Sequence, residues 1–537
     1  MTIIHAHFAG RAVSILLGAM LLSACGSDGP DAPHVTQDPV VTLDPNGVTP
    51  LSAVLEMSTQ TPVKVLLEIS DGTSVRQLKH NKLETEHYIP ILGLFPDSAY
   101  TVKVSMEDKD GNIWELPASV GQQIIQTNSL PDDFPKIEVH VSKPELMEPG
   151  YTLLDRSSRG RGADPLLGIY SIILDSAGRV VWYTLSSHSA SNMAQLPNGN
   201  LIYRDEGEVN EMTMLGEKLS LIVLADPGLG LHHDLSVTTD GTYLSVSRET
   251  FIYDNYPTNY TDPIPRQTAE IIDEPIVEFS ADGELLNIWW LKDMLDPSRI
   301  GYLALEGVEP LDWVHVNAVT YDSRDDSIIV SVRHQDAVIK FSRETGELIW
   351  ILGPHNNWSE SFQKYLLNPV GSDFAWQYHQ HAPMITGDGT LLLFDNGNYK
   401  TSPFDGLESV ASTDNFSRAV EFSIDEEKME VEQVWEYGTL SSPRIYADFI
   451  GDADWMPETG NALVHFGGTI FIDGAATSTI GYGDGVTRIV EVTRDASKIK
   501  VFDVTLSDGA AETPLTTYRS ERIKSLYPPE YTEMPVK

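Results

Sequence analysis

The chain has 537 residues, more than one ordinary hydrophobic core contains, so at least two domains are expected. Its 78 acidic and 36 basic residues give a formal net charge of −42. Such a surface repels phosphate backbones, which argues against a nucleic-acid partner. The single cysteine, Cys25, excludes an internal disulfide.

The first 25 residues have the pattern of a bacterial lipoprotein signal peptide. Arg11 precedes an apolar run over residues 12–22 that is too short to span a bilayer. The run ends in Leu22-Ser23-Ala24-Cys25, which resembles a lipobox. We therefore expect lipid attachment at Cys25, anchoring to a membrane in the periplasm, and a flexible tether over residues 26–40. An incidental cysteine in an ordinary cleaved signal peptide is the alternative.

Residues 41–128 alternate apolar and polar positions in short runs, as in Val63-Lys64-Val65-Leu66-Leu67-Glu68. A period of two predicts β-strands, and a small β-sandwich is the expected first domain. The stretch from Leu94 to Tyr100 resembles the corner of fibronectin-like sandwiches, in which a tyrosine hydroxyl bonds to the backbone. Residues 129–135, which contain two prolines, form the expected hinge to the second domain.

From residue 135 to the end at 537, pairs of short apolar runs repeat around Asp-Gly and Asn-Gly turns. Five copies contain a clear inner-strand phrase, and C-terminal strands such as residues 488–492 are expected to complete a sixth. The predicted fold is therefore all-β, a six-bladed β-propeller after the sandwich, with seven blades as the alternative. Residues 353–378 and 401–415 break the pattern and are predicted to be loops over one mouth of the channel.

Three histidines lie in one register of this repeat. His233 and His381 each lie seven residues before the aspartate of the following turn, and His315 lies ten residues before its own in a copy with a longer turn. Arg248 and Arg333 each lie eight residues after that aspartate. Equivalent positions in a propeller converge on its axis, so these side chains are predicted to form one polar cluster, the candidate active site.

Two chemistries fit such a cluster. Three imidazoles can hold a catalytic zinc ion, and His379 and His381, two apart on a predicted strand, could both face a metal. Arg333 opposes this hypothesis, since it would place a fixed positive charge beside a dication. Arginine with histidines suits a tetrahedral oxyanion better, and a neutral histidine beside it is a competent nucleophile.

Several segments resemble the bacterial arylsulfate sulfotransferases, the periplasmic enzymes that do not use phosphoadenylyl sulfate. The resemblance extends over nearly all of the mature chain, and residues 46–54 resemble the N-terminal sandwich of that family. The segments that carry it are Asp312-Trp313-Val314-His315-Val316-Asn317, Ser331-Val332-Arg333-His334-Gln335, Gln380-His381-Ala382, Phe394-Asp395-Asn396-Gly397 and Ser417-Arg418-Ala419-Val420.

The resemblance implies a six-bladed propeller, commonly dimeric, that moves a sulfuryl group from a phenolic sulfate to an acceptor phenol. The implied mechanism is ping-pong through a sulfated histidine, with no metal and no nucleotide cofactor. It implies that His381 is the nucleophile, that Arg333 neutralises the sulfuryl oxygens, and that His315 and His233 assist. Asn317 is implied to donate a hydrogen bond to the substrate.

Two further histidines, His232 and His334, lie next to these residues in the sequence. His232 could replace His233 as the assisting histidine, but it is the less favoured of the two. His334 follows Arg333 directly, and on a strand it would point to the opposite face, so we expect it to be structural. Two rival functions stay open, a metal-dependent hydrolase or lyase that uses the same histidines and a non-catalytic propeller that binds a ligand.

Overall fold

The computed structural model describes part of the chain, in nine segments. They are residues 31–155, 157–159, 168–185, 191–205, 208–224, 228–439, 444–478, 483–507 and 514–535. The predicted signal peptide and its Cys25 lie outside the described residues. No helix in these segments is both long and apolar enough to span a membrane.

The first domain is a β-sandwich built around the 18-residue strand Ala53–Ser70, which pairs with strands of both layers. In its second half Val63, Val65 and Leu67 are buried while the residues between them are partly exposed, as the alternating pattern predicts. The predicted corner is confirmed, because the amide of Phe95 donates to the Tyr100 hydroxyl at 2.7 Å. The strands are Val35–Leu43, Ala53–Ser70, Val75–His80, Glu84–Ile91, Ala99–Glu107, Ile113–Glu115, Gln122–Gln126 and Tyr531–Pro535.

Two boundaries differ from the predicted ones. The first strand begins at Val35, so the last part of the predicted tether, residues 35–40, pairs within the sandwich. The last strand, Tyr531–Pro535, pairs with Val75–His80, so the C-terminal end of the predicted propeller range belongs to the first domain. Neither pairing was predicted, because hydrogen bonds between separate segments of the chain leave no local pattern in the sequence.

The second domain is a six-bladed β-propeller, as predicted. The first blade contains Ser520–Ile523, Tyr151–Leu154, Tyr170–Leu174 and Val180–Leu185. The second contains Ser191–Gln195, Leu201–Asp205, Glu208–Met212 and Lys218–Ile222. The third contains His232–Val237, Tyr243–Val246, Ile276–Phe279 and Leu285–Trp289, with an inserted hairpin of Glu249–Pro257 and Arg266–Asp273.

The fourth blade contains Val316–Asp322, Ser327–Val332, Ala337–Ser342 and Leu348–Leu352. The fifth contains His381–Ile385, Leu391–Asp395, Arg418–Asp425, Glu430–Tyr437 and the added strand Asn368–Val370. The sixth contains Asp452–Trp455, Ala462–Ile472, Asp484–Val492, Lys500–Ser507, Lys136–Ser142 and the short Ala475–Ala476. A two-stranded sheet of Ser157–Arg159 and Leu515–Thr517 lies beside them.

Two blades close the ring, each with a strand from the opposite end of the chain. Residues 488–492 lie within the sixth blade, whereas Ser520–Ile523 supplies the inner strand of the first. In return, Lys136–Ser142 forms the outer edge of the sixth blade. The C-terminal strand that completes the ring is thus about thirty residues later in the chain than the segment that the sequence pattern indicated.

The helices are short and lie outside the blade sheets. The predicted loops contain some regular structure, since Glu360–Tyr365 and Ser412–Asp414 are 3₁₀ turns and Asn368–Val370 is the strand added to the fifth blade. The helices and the remaining 3₁₀ turn are Ala118–Gly121, Leu291–Met294 and Arg333–Gln335.

Candidate active site

The four predicted catalytic side chains line one cavity of about 420 Å³. His233 and His381 lie at the start of the inner strands of the third and fifth blades, and His315 directly precedes that of the fourth. Arg333 follows the next strand of the fourth blade. The convergence of equivalent blade positions on the axis thus brings together residues that are up to 148 apart in sequence.

The backbone shows that the three histidines are not strictly equivalent. His233 and His315 have left-handed conformations, with φ of 58° and 47°, whereas in the fifth blade the left-handed residue is Ala382, with φ of 50°. His381 therefore reaches the cavity from one position earlier. A left-handed conformation costs a non-glycine residue about 1–2 kcal/mol, and such strain is concentrated at functional sites.

His381 is held in one tautomer. Its Nδ1 lies 2.6 Å from Oδ1 of Asn396, and the Asn396 amide nitrogen donates to the carbonyls of Ala447 at 2.8 Å and Ile450 at 2.9 Å. Because those two bonds fix the amide orientation, Oδ1 must accept and Nδ1 of His381 must carry the proton. The Nε2 lone pair remains available to a substrate in the cavity.

His381 is also kept neutral. Burial is the main cause that holds the pKa of its ring well below 6.5, and the charge of Arg333 adds to it. The ring is 5% exposed, so little water reaches it. A neutral imidazole with a free Nε2 lone pair is the form that a nucleophile requires.

Arg333 places a buried positive charge beside His381. Its Nη1 donates to Nε2 of His334 at 3.0 Å, and its Nη2 donates to the carbonyl of Asp448 at 3.2 Å. Two of the five N–H donors of a guanidinium are thereby engaged, and Nε has no partner among the described residues. The other donors can bind the oxygens of an anion in the cavity.

His334 does not point to the opposite face, contrary to the prediction. It lies with Arg333 in the 3₁₀ turn Arg333–Gln335, where the alternation of a strand does not apply. Its ring stacks on that of His315 with centroids 4.6 Å apart, and its Nδ1 donates to the carbonyl of Asp312 at 2.7 Å. His334 thus orients both Arg333 and His315.

His315 is paired with a carboxylate. Its Nδ1 lies 2.6 Å from Oδ2 of Asp312, so Nδ1 carries a proton and Nε2 faces the cavity. Burial opposes the charge of Asp312, but His334 and His315 outweigh it and hold the pKa of the carboxyl below its usual range. An imidazole backed by a carboxylate can accept and return a proton, as a general acid and base does.

His233, and not His232, lines the cavity, as the sequence favoured. The Nδ1 atoms of the two rings lie 2.5 Å apart, and Nε2 of His232 lies 2.9 Å from the carbonyl of Ser247. Because a carbonyl can only accept, Nε2 of His232 is the donor, and its Nδ1 accepts from His233. His233 therefore also presents an Nε2 lone pair, and burial holds the pKa of its ring well below 6.5.

Asn317 is not among the residues that line the cavity, and its contact with substrate stays a prediction. It is fully buried, and its amide nitrogen donates to the carbonyl of Gln380 at 2.8 Å. Arg519 donates to its backbone carbonyl at 3.3 Å. Asn317 therefore supports the residue that precedes His381.

The histidines considered for a zinc site form no group of three close ligands among the described residues. His379 precedes the strand that begins at His381 and lies beside Asp336, with 2.8 Å between Nδ1 and Oδ1. Among the described residues, one set of three potential ligands has atoms within 4.8 Å of one another, Asp312, His315 and His334. A cation there would compete with Arg333 for the Nε2 lone pair of His334.

Part of the wall of the central cavity is apolar. The rings of Tyr399 and Tyr302 stack with centroids 4.4 Å apart at the edge of the cavity. An aromatic ring can pack on such a wall while an anionic group attached to it faces Arg333. The residues of this wall are Leu303, Tyr399, Phe449, Ile450 and Tyr518.

Arg248, which matches Arg333 in sequence register, is exposed and lines a neighbouring cavity of about 630 Å³. That cavity shares His233 and His315 with the central one. A larger cavity of about 1020 Å³ beside the fifth blade contains none of the predicted residues. The convergence of tautomer-fixed histidines favours the central cavity as the site of chemistry.

Two supporting residues, Asn396 and Asp312, were not predicted as part of the site. Both lie in segments that carry the family resemblance, and Asp312 is three residues before His315. Asn396 lies just after Leu391–Asp395, the strand whose Phe394 pairs with His381. Asn396 is two residues after Phe394, and this position next to the partner of His381 could have indicated a contact between the two side chains. The orientation of the Asn396 amide is visible only in the structure.

Comparisons with known proteins give one consistent match. Residues 166–519 match the family model described as arylsulfotransferase (ASST), and residues 40–120 match the arylsulfotransferase Ig-like domain. The chain is 26% identical to arylsulfate sulfotransferase AssT from Escherichia coli O6:H1 and 23% identical to the enzyme of that name from Lelliottia amnigena. Both matches cover 93% of this chain and 96% of the relative.

Proposed function

The chain belongs to the arylsulfotransferase family, and from this premise we propose that it transfers a sulfuryl group between phenols by a ping-pong mechanism through sulfated His381. Membership of the family supports the overall activity, that of an arylsulfate sulfotransferase acting on a sulfate donor and a phenol acceptor. The observation that supports the covalent step best is the Asn396 amide, which leaves Nε2 of His381 as a lone pair facing the cavity beside Arg333.

In the first half-reaction the donor's aryl ring packs on the apolar wall and its sulfuryl oxygens face Arg333. Nε2 of His381 attacks sulfur, so that an N–S bond forms while the bond between sulfur and the phenolic oxygen breaks. The electron pair of the broken bond leaves on the phenolic oxygen. His315, acting as the general acid, gives the proton from its Nε2 to that oxygen, and Asp312 holds the ring in place through Nδ1.

In the second half-reaction an acceptor phenol occupies the same wall. Neutral His315 takes the phenolic proton while the oxygen attacks sulfur, and the N–S bond electrons return to Nε2 of His381. The Nε2 lone pair of His233 can accept a hydrogen bond from the incoming hydroxyl and hold it towards sulfur. The enzyme thereby regains its starting protonation state.

Arg333 contributes by matching the charge of the sulfuryl group during transfer. The transferred group carries negative charge on its outer oxygens, and fixed donors in a site with little water stabilise that charge without reorganising. His334 keeps the guanidinium in place through the 3.0 Å contact with Nη1. Loss of one such donor typically costs a factor of about 10²–10³ in rate.

The proposal extends to where the enzyme acts. We propose that Cys25 receives a lipid and that the mature protein is anchored to a membrane in the periplasm, which rests on the lipobox-like segment of residues 22–25. A homodimer, which the family resemblance implied, also stays a proposal. Anchoring restricts diffusion and leaves the chemistry at the propeller axis unchanged.

A two-phenol transfer assay tests the proposed function. The purified protein is given an aryl sulfate with a chromogenic phenol and a second, unsulfated phenol. We expect the sulfate to appear on the second phenol, with parallel lines in double-reciprocal plots, as a ping-pong mechanism requires. Release of inorganic sulfate without sulfation of the acceptor would indicate a hydrolase, and intersecting lines would exclude the covalent route.

A further inference from the structure

Two opposite charges line the central cavity. Among its described lining residues, Arg333 is the one with a permanent positive charge and Asp448 is the one with a carboxylate. Asp448 lies in the segment before the inner strand Asp452–Trp455 of the sixth blade and is 6% exposed. In the proposed mechanism Arg333 binds the sulfuryl oxygens, whereas the carboxylate of Asp448 takes no part in the transfer.

The carboxylate of Asp448 is held in place by two donors. The hydroxyl of Tyr446 donates to its Oδ1 at 2.7 Å, and the amide nitrogen of Asn398 donates to the same oxygen at 2.9 Å. Burial raises the pKa of Asp448, and Arg333 and the Tyr446 hydroxyl counteract it. No described residue forms a hydrogen bond with Oδ2, so a proton there would have no acceptor. These contacts are therefore those of an ionised carboxylate.

Asp448 does not neutralise Arg333 by a direct ion pair between the two side chains. The guanidinium Nη2 donates instead to the backbone carbonyl of Asp448, at 3.2 Å. The negative charge is nevertheless felt in the cavity, because burial and then Asp448 raise the pKa of the lining Tyr399 to about 12. Arg333 thus keeps donors for a ligand while a fixed negative charge stands beside them.

The histidines of the cavity add no compensating positive charge. Burial is the main cause that holds the pKa of His381 and His233 well below 6.5, so both rings are neutral at pH 8. His315 is backed by Asp312, so even a proton on its ring would leave the pair without net charge. An anion in the cavity therefore meets one guanidinium and one carboxylate.

We propose that Asp448 is a specificity-determining residue, which makes the central cavity bind a sulfate monoester in preference to a phosphate monoester. The proposal rests on the proposed function, which places the anion of the donor at Arg333. The two esters have the same tetrahedral shape, so shape alone does not separate them. They differ in charge, since a sulfate monoester carries a single negative charge and a phosphate monoester carries about −1.5 to −2 at pH 7.

The charges in the cavity decide between a monoanion and a dianion. With Arg333 alone a second negative charge on the ligand would be favourable, because Coulomb attraction grows with ligand charge. Repulsion by Asp448 offsets that gain. The dianion also loses more hydration than the monoanion when it enters a site with little water. A repulsive group that excludes the wrong ligand in this way is a common source of specificity.

Calorimetric binding of two probes of the same shape tests the proposal on the full-length protein. The probes are phenylmethanesulfonate, a monoanion, and phenyl phosphate, which is a dianion at pH 8 because its second pKa is about 6. Neither is a sulfate ester, so binding is measured without sulfuryl transfer. We expect the unaltered protein to bind the phosphate at least about tenfold more weakly than the sulfonate.

The variant Asp448→Asn should reduce this ratio of dissociation constants by at least about fivefold, mainly through tighter binding of the phosphate. An asparagine keeps an oxygen for Tyr446 and Asn398 and leaves the backbone carbonyl that binds Arg333 unchanged. Asp282→Asn, which removes an exposed carboxylate in a turn, is the matched control for overall charge. Its ratio should equal that of the unaltered protein.

Three results would overturn the proposal. Equal affinity of the unaltered protein for the two probes would exclude the selectivity and needs no variant. The same ratio in Asp448→Asn and in the unaltered protein would show that Asp448 does not determine it. In both cases sulfation of the acceptor in the two-phenol assay would leave the proposed function standing. Failure of the unaltered protein to bind either probe would remove the anion site at Arg333, and with it the proposed function as well.

Discussion

The hydrogen bond between Asn396 and His381 offers the sharpest prediction about reactivity. In Asn396→Ala the Nδ1–H of His381 loses its acceptor at 2.6 Å, and the carbonyls of Ala447 and Ile450 lose their donor. The ring can then take the other tautomer or rotate, and either change removes the Nε2 lone pair from the cavity. A buried group left without its partner costs about 1–3 kcal/mol, which corresponds to a loss of roughly 5- to 150-fold in kcat/KM.

The assay compares Asn396→Ala with Asn461→Ala. Asn461 is also buried and also donates two hydrogen bonds, to the Leu146 carbonyl at 2.9 Å and to Glu491 at 2.7 Å, but it lies in the sixth blade away from the central cavity. We expect both variants to lose similar Tm, and only Asn396→Ala to lose kcat/KM for the sulfate donor. Unchanged kinetics in Asn396→Ala, or equal kinetic losses in the two variants, would refute the tautomer argument.

Three further predictions concern charge, pH and anchoring. Arg333→Ala should lower kcat by at least about 100-fold, because it removes the donors that bind the sulfuryl oxygens. Arg333→Lys should lower kcat by less, because lysine keeps a point charge in place of the forked donor. Equal activity of the Ala variant and the unaltered enzyme in the two-phenol assay would contradict this role. The folded-state pKa of His381 and His233 lies well below 6.5, so their neutral forms persist in mildly acidic solution. The rate constant kcat/KM should therefore begin to fall only at a pH below 6.5. The free energy of unfolding should also fall as the pH drops below 6.5, because the histidines of the unfolded chain bind protons first. A loss of kcat/KM that begins at or above pH 6.5 would contradict the low pKa of these two histidines. Cys25→Ser should move the protein from the membrane fraction to the soluble fraction with unchanged turnover, and membrane retention of the variant would exclude a lipid on Cys25.

Local patterns predicted most of the fold. Alternation in the second half of Ala53–Ser70 indicated the sandwich, and the turns after each inner strand indicated the blades. Pairing between distant segments was not predictable in the same way. Neither Tyr531–Pro535 in the sandwich nor Ser520–Ile523 in the first blade differs in composition from strands that pair locally.

The site was predictable to the level of which residues meet, and not to the level of how each side chain points. Counting residues from the turn aspartates placed His233 and His381 in one register. In the structure the left-handed residue is His233 in the third blade but Ala382 in the fifth, so the two backbones differ by one position. The 3₁₀ turn after Val332 carries His334 into the site, where strand alternation would have turned it away. The buried amide of Asn317, which donates to the carbonyl of Gln380, is likewise a contact that the sequence pattern did not indicate.

In the proposed mechanism His381 carries the sulfuryl group between the two phenols. Incubating the enzyme with an aryl sulfate and no acceptor should release one phenol per active site in a burst. It should also leave a sulfuryl group on the peptide that contains Gln380-His381-Ala382, kept at alkaline pH because a protonated imidazole is a good leaving group. His381→Asn should abolish both the burst and the label. A label on another residue, or ordinary turnover by His381→Asn, would contradict the account.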